Sequence, residues 1–224
     1  MSIDIAEGAG IKSGKTMEIY EELFDRYPAL NCVRSSVLAA YNALFNSFKN
    51  EGKLLVCGNG GSAADAEHIV GELMKGFLKR RELTSAKRDV INSVFSEYME
   101  NAAGFLQGAL PAISLAGERA LSTAYLNDVH PEMIFAQQTF AYGKNNDVFL
   151  GISTSGNSKN VVNAALTAKA IGLKTIALTG PMNSSLSRIC DITINVPGKN
   201  TPEVQEHHLP VYHALCAMLE EELF

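Results

Sequence analysis

Two places in the chain carry side chains that could move protons or bind a metal. His68 and Glu72 are four residues apart in a segment of helical periodicity, so both lie on one helix face, about one turn apart. Such a pair suits a metal ion or a proton transfer, although alone it is more often a surface contact. Near the carboxyl end, QEHHLPVYH (205–213) contains three of the five histidines. The last of them, His213, stands among apolar residues and is expected to be partly buried, whereas the other two fit polar surface positions.

Two loops rich in glycine and serine could hold an anion without a basic side chain. CGNGGS (57–62) follows the apolar run KLLVC, and STSGNS (153–158) follows DVFLGI; each precedes a helical segment. Backbone N–H groups at the amino end of a helix bind phosphate, and glycines let the backbone approach the ligand. The first loop is equally consistent with an ordinary strand-to-helix turn, and neither loop matches a P-loop or dinucleotide-binding pattern. N-capping explains one or two hydroxyls of the second loop but not four, so we interpret it as a phosphate site.

Short apolar runs alternate with helical segments after residue 52. The predicted strands are 53–57, 112–115, 147–152, 174–178 and 191–196, and the predicted helices are 63–77, 118–126, 131–142, 157–171 and 203–222. Near-continuous apolar strands separated by helices indicate a parallel sheet that is covered on both faces. The predicted fold class is therefore α/β, a three-layer α/β/α sandwich around a five-stranded parallel sheet, of flavodoxin-like or Rossmann-like type.

We predict one domain over residues 1–224, with a helical arm at its amino end. The arm, residues 1–50, is predicted to form helices on either side of Pro28, because apolar residues recur there at helical spacing. With 46% hydrophobic and 19% charged residues, the chain has the composition of a protein with one large core. This composition excludes disordered, collagen-like and coiled-coil chains.

Residues 78–110 exceed what a minimal sandwich needs and are predicted to form a helical insert. An apolar stripe at helical spacing runs along it, formed by Val90, Val94, Phe95 and Tyr98. We interpret the insert as a helical hairpin that packs on its own subunit or on a neighbour. The alternative is a substrate lid in which the basic residues 79–81 help to bind an anion.

The net charge and the cysteine pattern limit which binding partners and which cellular compartment fit the chain. The formal net charge of −5 argues against a nucleic-acid partner, although a single anionic group could still be held locally by backbone amides. The four cysteines form no C-x-x-C pair, which is typical of reduced thiols. No apolar run approaches the ~20 residues of a membrane span, and the first residues contain no apolar signal region. We therefore expect a soluble cytoplasmic protein with no membrane partner.

Four motifs together resemble one known family. CGNGGSAADAEH, GISTSGNSKNVV, TIALTG and VQEHHLPVYHALCAMLEEEL, in this order, are similar to the sugar isomerase (SIS) domain and, within it, to the phosphoheptose isomerases. The resemblance covers the chain except about residues 1–15 and the insert. It implies an aldose–ketose isomerase that converts sedoheptulose 7-phosphate to D-glycero-D-manno-heptose 7-phosphate. It also implies a homotetramer with active sites at subunit interfaces.

The resemblance implies the following site residues. Substrate is bound by Asn59, Gly60, Ser62, Asp128, Ser153, Thr154, Ser155, Ser158 and Gln205. Of these, the four hydroxyl residues of the second loop hold the phosphate, and Asp128 lies near the sugar hydroxyls. The implied catalytic pair is Glu72 and His213. In some members a zinc ion (Zn²⁺) is bound at the positions of His68, Glu72, Gln205 and His213.

The implied reaction moves a proton between C1 and C2 of the sugar through an enediol. Glu72 is expected to move the carbon-bound proton while His213 serves the oxygens, which a zinc ion would polarise. If Glu72 also binds the metal, its basicity falls, so the two roles conflict. Gln205 and His213 would be about 12 Å apart on one straight helix. They could share an ion only if Gln205 precedes the helix or if different subunits supply them.

Two departures from the family pattern and two alternative functions remain open. The family often has an arginine at the position of Gly76 and an aspartate at that of Pro202, and Lys75 or the basic insert residues could compensate. One alternative is a non-catalytic SIS protein that binds a replication initiator or senses a sugar phosphate. The other is an isomerase of a different sugar phosphate. Non-catalytic relatives lack the helical glutamate and the last histidine, and the presence of Glu72 and His213 favours an enzyme.

Overall fold

Five strands form a parallel sheet, as the sequence predicts. The structure is a computed structural model that describes residue 11, residues 13–181 and residues 183–224. Its strands are β1 (Leu54–Cys57), β2 (Ala112–Ser114), β3 (Val148–Ser153), β4 (Lys174–Thr179) and β5 (Ile192–Asn195). They pair in the order β2-β1-β3-β4-β5, every pair being parallel. The predicted strand positions are confirmed within one or two residues.

Helices cover both faces of this sheet, which confirms the three-layer sandwich. The α-helices within the described residues are α1 (Gly14–Arg26), α2 (Arg34–Lys49), α3 (Gly61–Met74), α4 (Ser85–Phe95), α5 (Arg119–Asp128), α6 (Ile134–Tyr142), α7 (Lys159–Ala170), α8 (Ser185–Ile189) and α9 (Thr201–Leu223). Strand β1 shows the layering, because Leu54 and Val56 belong to one buried cluster and Leu55 and Cys57 to the other. The short helix α8 is the one element of the core region that the sequence did not predict.

The amino-terminal helices pack on the body of the sandwich. Helices α1 and α2 are separated by a 3₁₀ segment, Pro28–Val33, which confirms helices on either side of Pro28. Tyr20 and Phe24 of α1 are each 2% exposed and join the same buried cluster as the start of β1. The part of the predicted arm before residue 11 lies outside the described residues.

The prediction of a helical hairpin in residues 78–110 is wrong. The segment contains one α-helix, α4, and one 3₁₀ turn, Ala102–Phe105. Helix α4 has no buried residue, and the apolar stripe points to solvent, Val94 and Tyr98 being 72% and 86% exposed. The stripe therefore does not pack on its own subunit, and contact with a neighbour stays a prediction.

The alternative interpretation, in which residues 79–81 help to bind an anion in a substrate lid, is wrong for Arg81, the most buried of the three. Arg81 is fully buried and pairs with Glu220, so it cannot reach an anion in solvent. Lys79 pairs with Glu221, and Arg80 pairs with Glu82.

None of the helices in the described part of the chain has the length and apolar character needed to cross a lipid bilayer.

Candidate active site

The strand order places the two glycine- and serine-rich loops side by side. Strands β1 and β3 are hydrogen-bonded neighbours, with Cys57 opposite Gly151, and β2 lies on the other side of β1. Chain connections therefore run in opposite directions from β1 and β3, which creates a crevice at their carboxyl ends. Loop 57–62 follows β1 and loop 153–158 follows β3, so both predicted binding loops border this crevice.

The serine loop is shaped by one glycine. Gly156 has φ of +63°, and a Cβ there would collide with Ser184 and lie 2.7 Å from Thr179 Oγ1. The loop folds back on itself, with Ser153 Oγ 3.0 Å from Ser158 Oγ and the Gly156 N–H donating to the Ser153 carbonyl at 2.9 Å. Ser158 is the N-cap of α7, but its side chain makes no capping hydrogen bond. The Ser158 hydroxyl therefore contacts Ser153 and does not cap α7.

The first loop is joined to the helix that follows the serine loop. Asn59 and Asn160 form a reciprocal amide pair, each Nδ2 donating to the other's Oδ1 at 2.9 Å. Asn59 and Gly60 are exposed, whereas Ser62 is 3% exposed beneath the loop. The sequence analysis missed Asn160, which lies two residues after the serine loop in N-S-K-N and could have been found as a polar residue in the first turn of α7.

Gln205 lies next to the first loop and not next to His213. A Cβ on Gly61, the first residue of α3, would lie 2.5 Å from Gln205 Nε2. Helix α9 already begins at Thr201, because Asn200 accepts a capping hydrogen bond from the Glu203 N–H. The expectation that Gln205 could precede the helix is therefore wrong, and Gln205 and His213 stand two turns apart on one helix.

The acid–base residues form a second cluster along α3. His68 Nε2 lies 3.2 Å from Glu72 Oε1 and 3.4 Å from His213 Nε2, so α3 and α9 bring three predicted residues to one point. Lys75 Nζ lies 3.1 Å from Glu72 Oε2 and places an ammonium on the same carboxylate. The cluster begins seven residues into α3, about 10 Å along the helix from Gly61, beside which Gln205 lies.

The surroundings of His213 favour the neutral form of its imidazole near neutral pH. Partial burial lowers its pKa below the usual histidine value, and the nearby His68 lowers it further, while Glu72 acts in the opposite direction. A neutral ring can accept a proton at one nitrogen and donate one from the other, which suits proton transfer between oxygens.

Comparison with known proteins agrees with the family resemblance of the sequence motifs. The family model described as SIS domain matches residues 30–107 and 90–180. The chain belongs to the SIS domain family.

Named relatives of this SIS chain are phosphoheptose isomerases. That of Geotalea daltonii is 39% identical over 84% of each chain, and that of Nitratiruptor sp. is 36% identical over 92% of each chain. A solved phosphoheptose isomerase from Francisella tularensis superposes with a TM-score of 0.71 at 30% identity, covering 92% of this chain and 97% of that one. By this likeness, the SIS chain is an enzyme, an isomerase of the type of these relatives.

Asp128 is one predicted site residue of the SIS domain that stands apart. It ends α5, is exposed, and accepts a hydrogen bond from Asn127 Nδ2 at 2.8 Å. Across the described residues, no hydrogen bond or ion pair joins it to either loop or to the acid–base cluster. A role for Asp128 in substrate binding stays a prediction.

The residues predicted to bind a metal ion carry suitable donor atoms, but in the described part of the chain they are not arranged as a metal site. The imidazoles of His68 and His213 and the carboxylate of Glu72 are groups that zinc binds. Over the described ranges, however, no group of three or more His, Cys, Asp or Glu side chains is arranged to hold a metal ion. The fourth predicted ligand, Gln205, lies at the opposite end of α3.

Proposed function

We propose that the chain is an aldose–ketose isomerase of a phosphorylated sugar, specifically sedoheptulose 7-phosphate, with D-glycero-D-manno-heptose 7-phosphate as product. The observation that carries the proposal is the layout of α3. The helix starts at the crevice between the two anion-binding loops and carries His68 and Glu72 on its later turns, beside His213. A phosphate at the loops and a carbonyl at the cluster are about 10 Å apart along the helix, which favours a long, open-chain sugar over a triose phosphate.

The serine loop and the amino end of α7 would hold the phosphate. Loop hydroxyls and free N–H groups can compensate a phosphate charge without a basic side chain, which is compatible with the net charge of −5. Asn59, Gly60 and Gln205 border the same crevice and are suited to contact the sugar hydroxyls.

Glu72 and His213 would carry the proton transfers. The Glu72 carboxylate removes the hydrogen of one sugar carbon and returns it to the neighbouring carbon, while His213 moves a proton between the two oxygens. Lys75, whose ammonium lies beside the other oxygen of Glu72, adds positive charge where the enediolate forms. Lys75 could thus replace part of the charge that the family places at the position of Gly76.

Zinc is part of this proposal through His68, Glu72 and His213, with Gln205 as the fourth predicted ligand. When bound, the ion would polarise the substrate oxygens. Because Gln205 is distant within one chain, we further propose a homotetramer in which a neighbouring subunit completes each site. Asp128, exposed and apart from the cluster, fits a residue supplied across such an interface.

The proposal is tested with the purified protein and a panel of pentose, hexose and heptose phosphates. Glu72→Gln and His213→Gln should each keep the fold and oligomeric state while lowering kcat by about 100- to 10,000-fold. Glu67→Gln, which changes an exposed glutamate on the same helix, should keep wild-type activity. Wild-type turnover in both the Glu72 and His213 variants would rule out the mechanism, and binding of sugar phosphates without turnover would indicate a sensor.

The zinc and tetramer proposals have separate tests. Elemental analysis after dialysis against a chelator should show that loss of zinc parallels loss of turnover. A zinc-free protein with full activity would rule out a role for zinc in the reaction. Light scattering of the purified protein should give the mass of four chains, and a monomer with full activity would rule out shared sites.

A further inference from the structure

The backbone carbonyl groups of the serine loop all accept hydrogen bonds from the protein itself. For residues 153–156, in order, the donors are the N–H of Gly156 at 2.9 Å, the N–H of Gly180 at 3.0 Å, the side-chain amide of Asn157 at 2.9 Å and the N–H of Leu186 at 3.0 Å. A carbonyl oxygen carries partial negative charge and would repel a phosphate. A loop whose carbonyl groups are engaged in this way presents its N–H and O–H groups to an anion.

Among these four donors, Asn157 is the one that acts through its side chain, and its amide is held by the first residue of α8. Asn157 Oδ1 accepts from the Ser185 N–H at 2.9 Å and from Ser185 Oγ at 3.0 Å, while Nδ2 donates to the Ser155 carbonyl. The reverse orientation of the amide would place two N–H donors together and two acceptors together. The contacts of Asn157 therefore fix which way its amide points.

Asn157 also contacts the hydroxyl of Ser155. The backbone N–H of Asn157 donates to Ser155 Oγ at 3.2 Å. A hydroxyl that accepts a hydrogen bond still has its own hydrogen to donate, and a phosphate oxygen is a strong acceptor. Ser155 is exposed at the crevice side of the loop, so the position of this donor depends on Asn157 through both the carbonyl and the hydroxyl.

The amino end of α8 is occupied by the protein. The N–H groups of residues 185–187 donate to Asn157 Oδ1, to the Gly156 carbonyl and to Ser184 Oγ, respectively. These groups are therefore not available to a ligand. Helix α8, which the sequence did not predict, thus supports the serine loop from the side of β4.

We propose that Asn157 is a positioning residue of the phosphate site. It joins the serine loop to α8 and engages the Ser155 carbonyl, so that this part of the loop offers donors to the anion. The role of Asn157 rests on the phosphate-binding part of the proposed function. It does not depend on the identity of the sugar or on the proton transfers.

Asn157→Ala leaves the Ser155 carbonyl without its donor and Ser185 without its acceptor. The carbonyl is then free to turn toward the crevice and oppose the phosphate. Binding of inorganic phosphate should weaken by about 10-fold, the equivalent of one to two lost hydrogen bonds. The KM for the sugar phosphate should rise by the same factor, whereas kcat should stay within about twofold of wild type, because the acid–base cluster on α3 and α9 is unchanged.

Ser185→Pro tests the link to α8 without changing Asn157. Ser185 is the first residue of α8, where proline is favoured, and Ser184 before it has the extended backbone that a following proline requires. The substitution removes both donors to Asn157 Oδ1 and should weaken phosphate binding by about 3-fold or more. In the Asn157→Ala protein it should have no further effect, because the acceptor is already absent. A residue that contacts phosphate without being positioned by α8 would not respond to Ser185→Pro.

Asn163→Ala is the matched control for the loss of an asparagine amide. Asn163 Nδ2 donates to the Glu132 carbonyl at 3.0 Å, outside the serine loop. The control should lose a similar amount of stability in urea unfolding but bind inorganic phosphate as the wild type does. Isothermal titration calorimetry with inorganic phosphate measures binding for all the variants, and steady-state kinetics separates KM from kcat.

Unchanged phosphate affinity in Asn157→Ala or in Ser185→Pro would overturn the proposal. An equal loss of affinity in Asn163→Ala, or a further loss when Ser185→Pro is added to Asn157→Ala, would do the same. A wild type that binds no inorganic phosphate would overturn it together with the phosphate site. If the wild type binds phosphate but turns over no sugar phosphate, the proposed reaction fails, and calorimetry still decides the role of Asn157.

Discussion

Arg81 and Glu220 form an ion pair that is completely shielded from water. Arg81 Nε lies 2.8 Å from Glu220 Oε1, and the two side chains are 0% and 2% exposed. Glu220 also accepts from the backbone N–H groups of Phe77 and Leu78 at 2.8 and 2.7 Å. Arg81 donates to the carbonyl of Glu72 at 2.9 Å, so the pair ties the end of α9 to the carboxyl end of α3, where the proposed catalytic carboxylate lies.

Arg81→Met should therefore destabilise the protein strongly. It leaves the buried Glu220 carboxylate without its counter-charge, a change that typically costs about 3–5 kcal/mol. Urea unfolding measures the loss. Lys79→Met, which breaks a partly exposed pair with Glu221, is the control and should cost less than about 1 kcal/mol. Equal losses in the two variants would show that burial of the Arg81 pair does not determine its contribution.

Gly156→Ala should damage the serine loop beyond the cost of backbone strain. The alanine would have to adopt the left-handed backbone conformation, and its Cβ would overlap with Ser184. Gly172→Ala is a matched control, because Gly172 has φ of +84° but open space around a Cβ. The control should lose about 1–2 kcal/mol. Gly156→Ala should lose more, and its affinity for inorganic phosphate, measured by calorimetry, should fall while that of the control stays unchanged.

Asn59 and Asn160 should be energetically coupled. Each alanine variant removes the same pair of hydrogen bonds, so the double variant should be less destabilised than the sum of the single variants, by about 0.5 kcal/mol or more. Denaturant unfolding of the four proteins gives the coupling. Asn163→Ala, on the same helix but bonded to the Glu132 carbonyl, should be additive with Asn59→Ala. Additivity of the Asn59 and Asn160 variants would mean that the first loop is not joined to α7 in solution.

Stability should fall as acid protonates His208 in the unfolded chain. Burial lowers the pKa of His208 from 6.5 to about 4, although a hydrogen bond with the Thr179 backbone opposes this. Between these two values the unfolded chain binds more protons than the folded one, so stability rises with pH. The loss on going from pH 6.5 to about 4 is roughly 3 kcal/mol.

Unfolding curves at several pH values test this. His208→Gln should remove most of that pH dependence, whereas His130→Gln, at an exposed position, should keep it. A wild-type stability that does not change over this range would contradict a neutral, buried His208.

The sheet and the two loops could be predicted because they depend on local patterns. An apolar run followed by glycine and serine is typical of a strand that ends at a loop. The two such runs that lead up to the loops at 57 and 153 form β1 and β3. Helical spacing also placed His68 and Glu72 on one face. His208 was misjudged as a surface residue, because a polar type in a mixed helix does not show which side faces the sheet.

Other features depend on contacts between distant parts of the chain. Arg81 and Glu220 are 139 residues apart, so no spacing rule connects them, and Arg81 was grouped with the basic residues beside it. Asp65 and Tyr212 are 147 residues apart and meet only because α3 and α9 pack together. The stripe on α4 had the periodicity of a packed helix, but periodicity does not show whether a partner surface exists in the same chain.

The pairing of β1 with β3 fixes the distance between the two loops that border the crevice. Neighbouring strands are about 4.8 Å apart, and the register of Cys57 with Gly151 fixes where both loops begin. This spacing comes from backbone hydrogen bonds and does not change when side chains are substituted. Among proteins that share this sheet, differences in substrate size should therefore reside in the lengths of the loops that follow the strands.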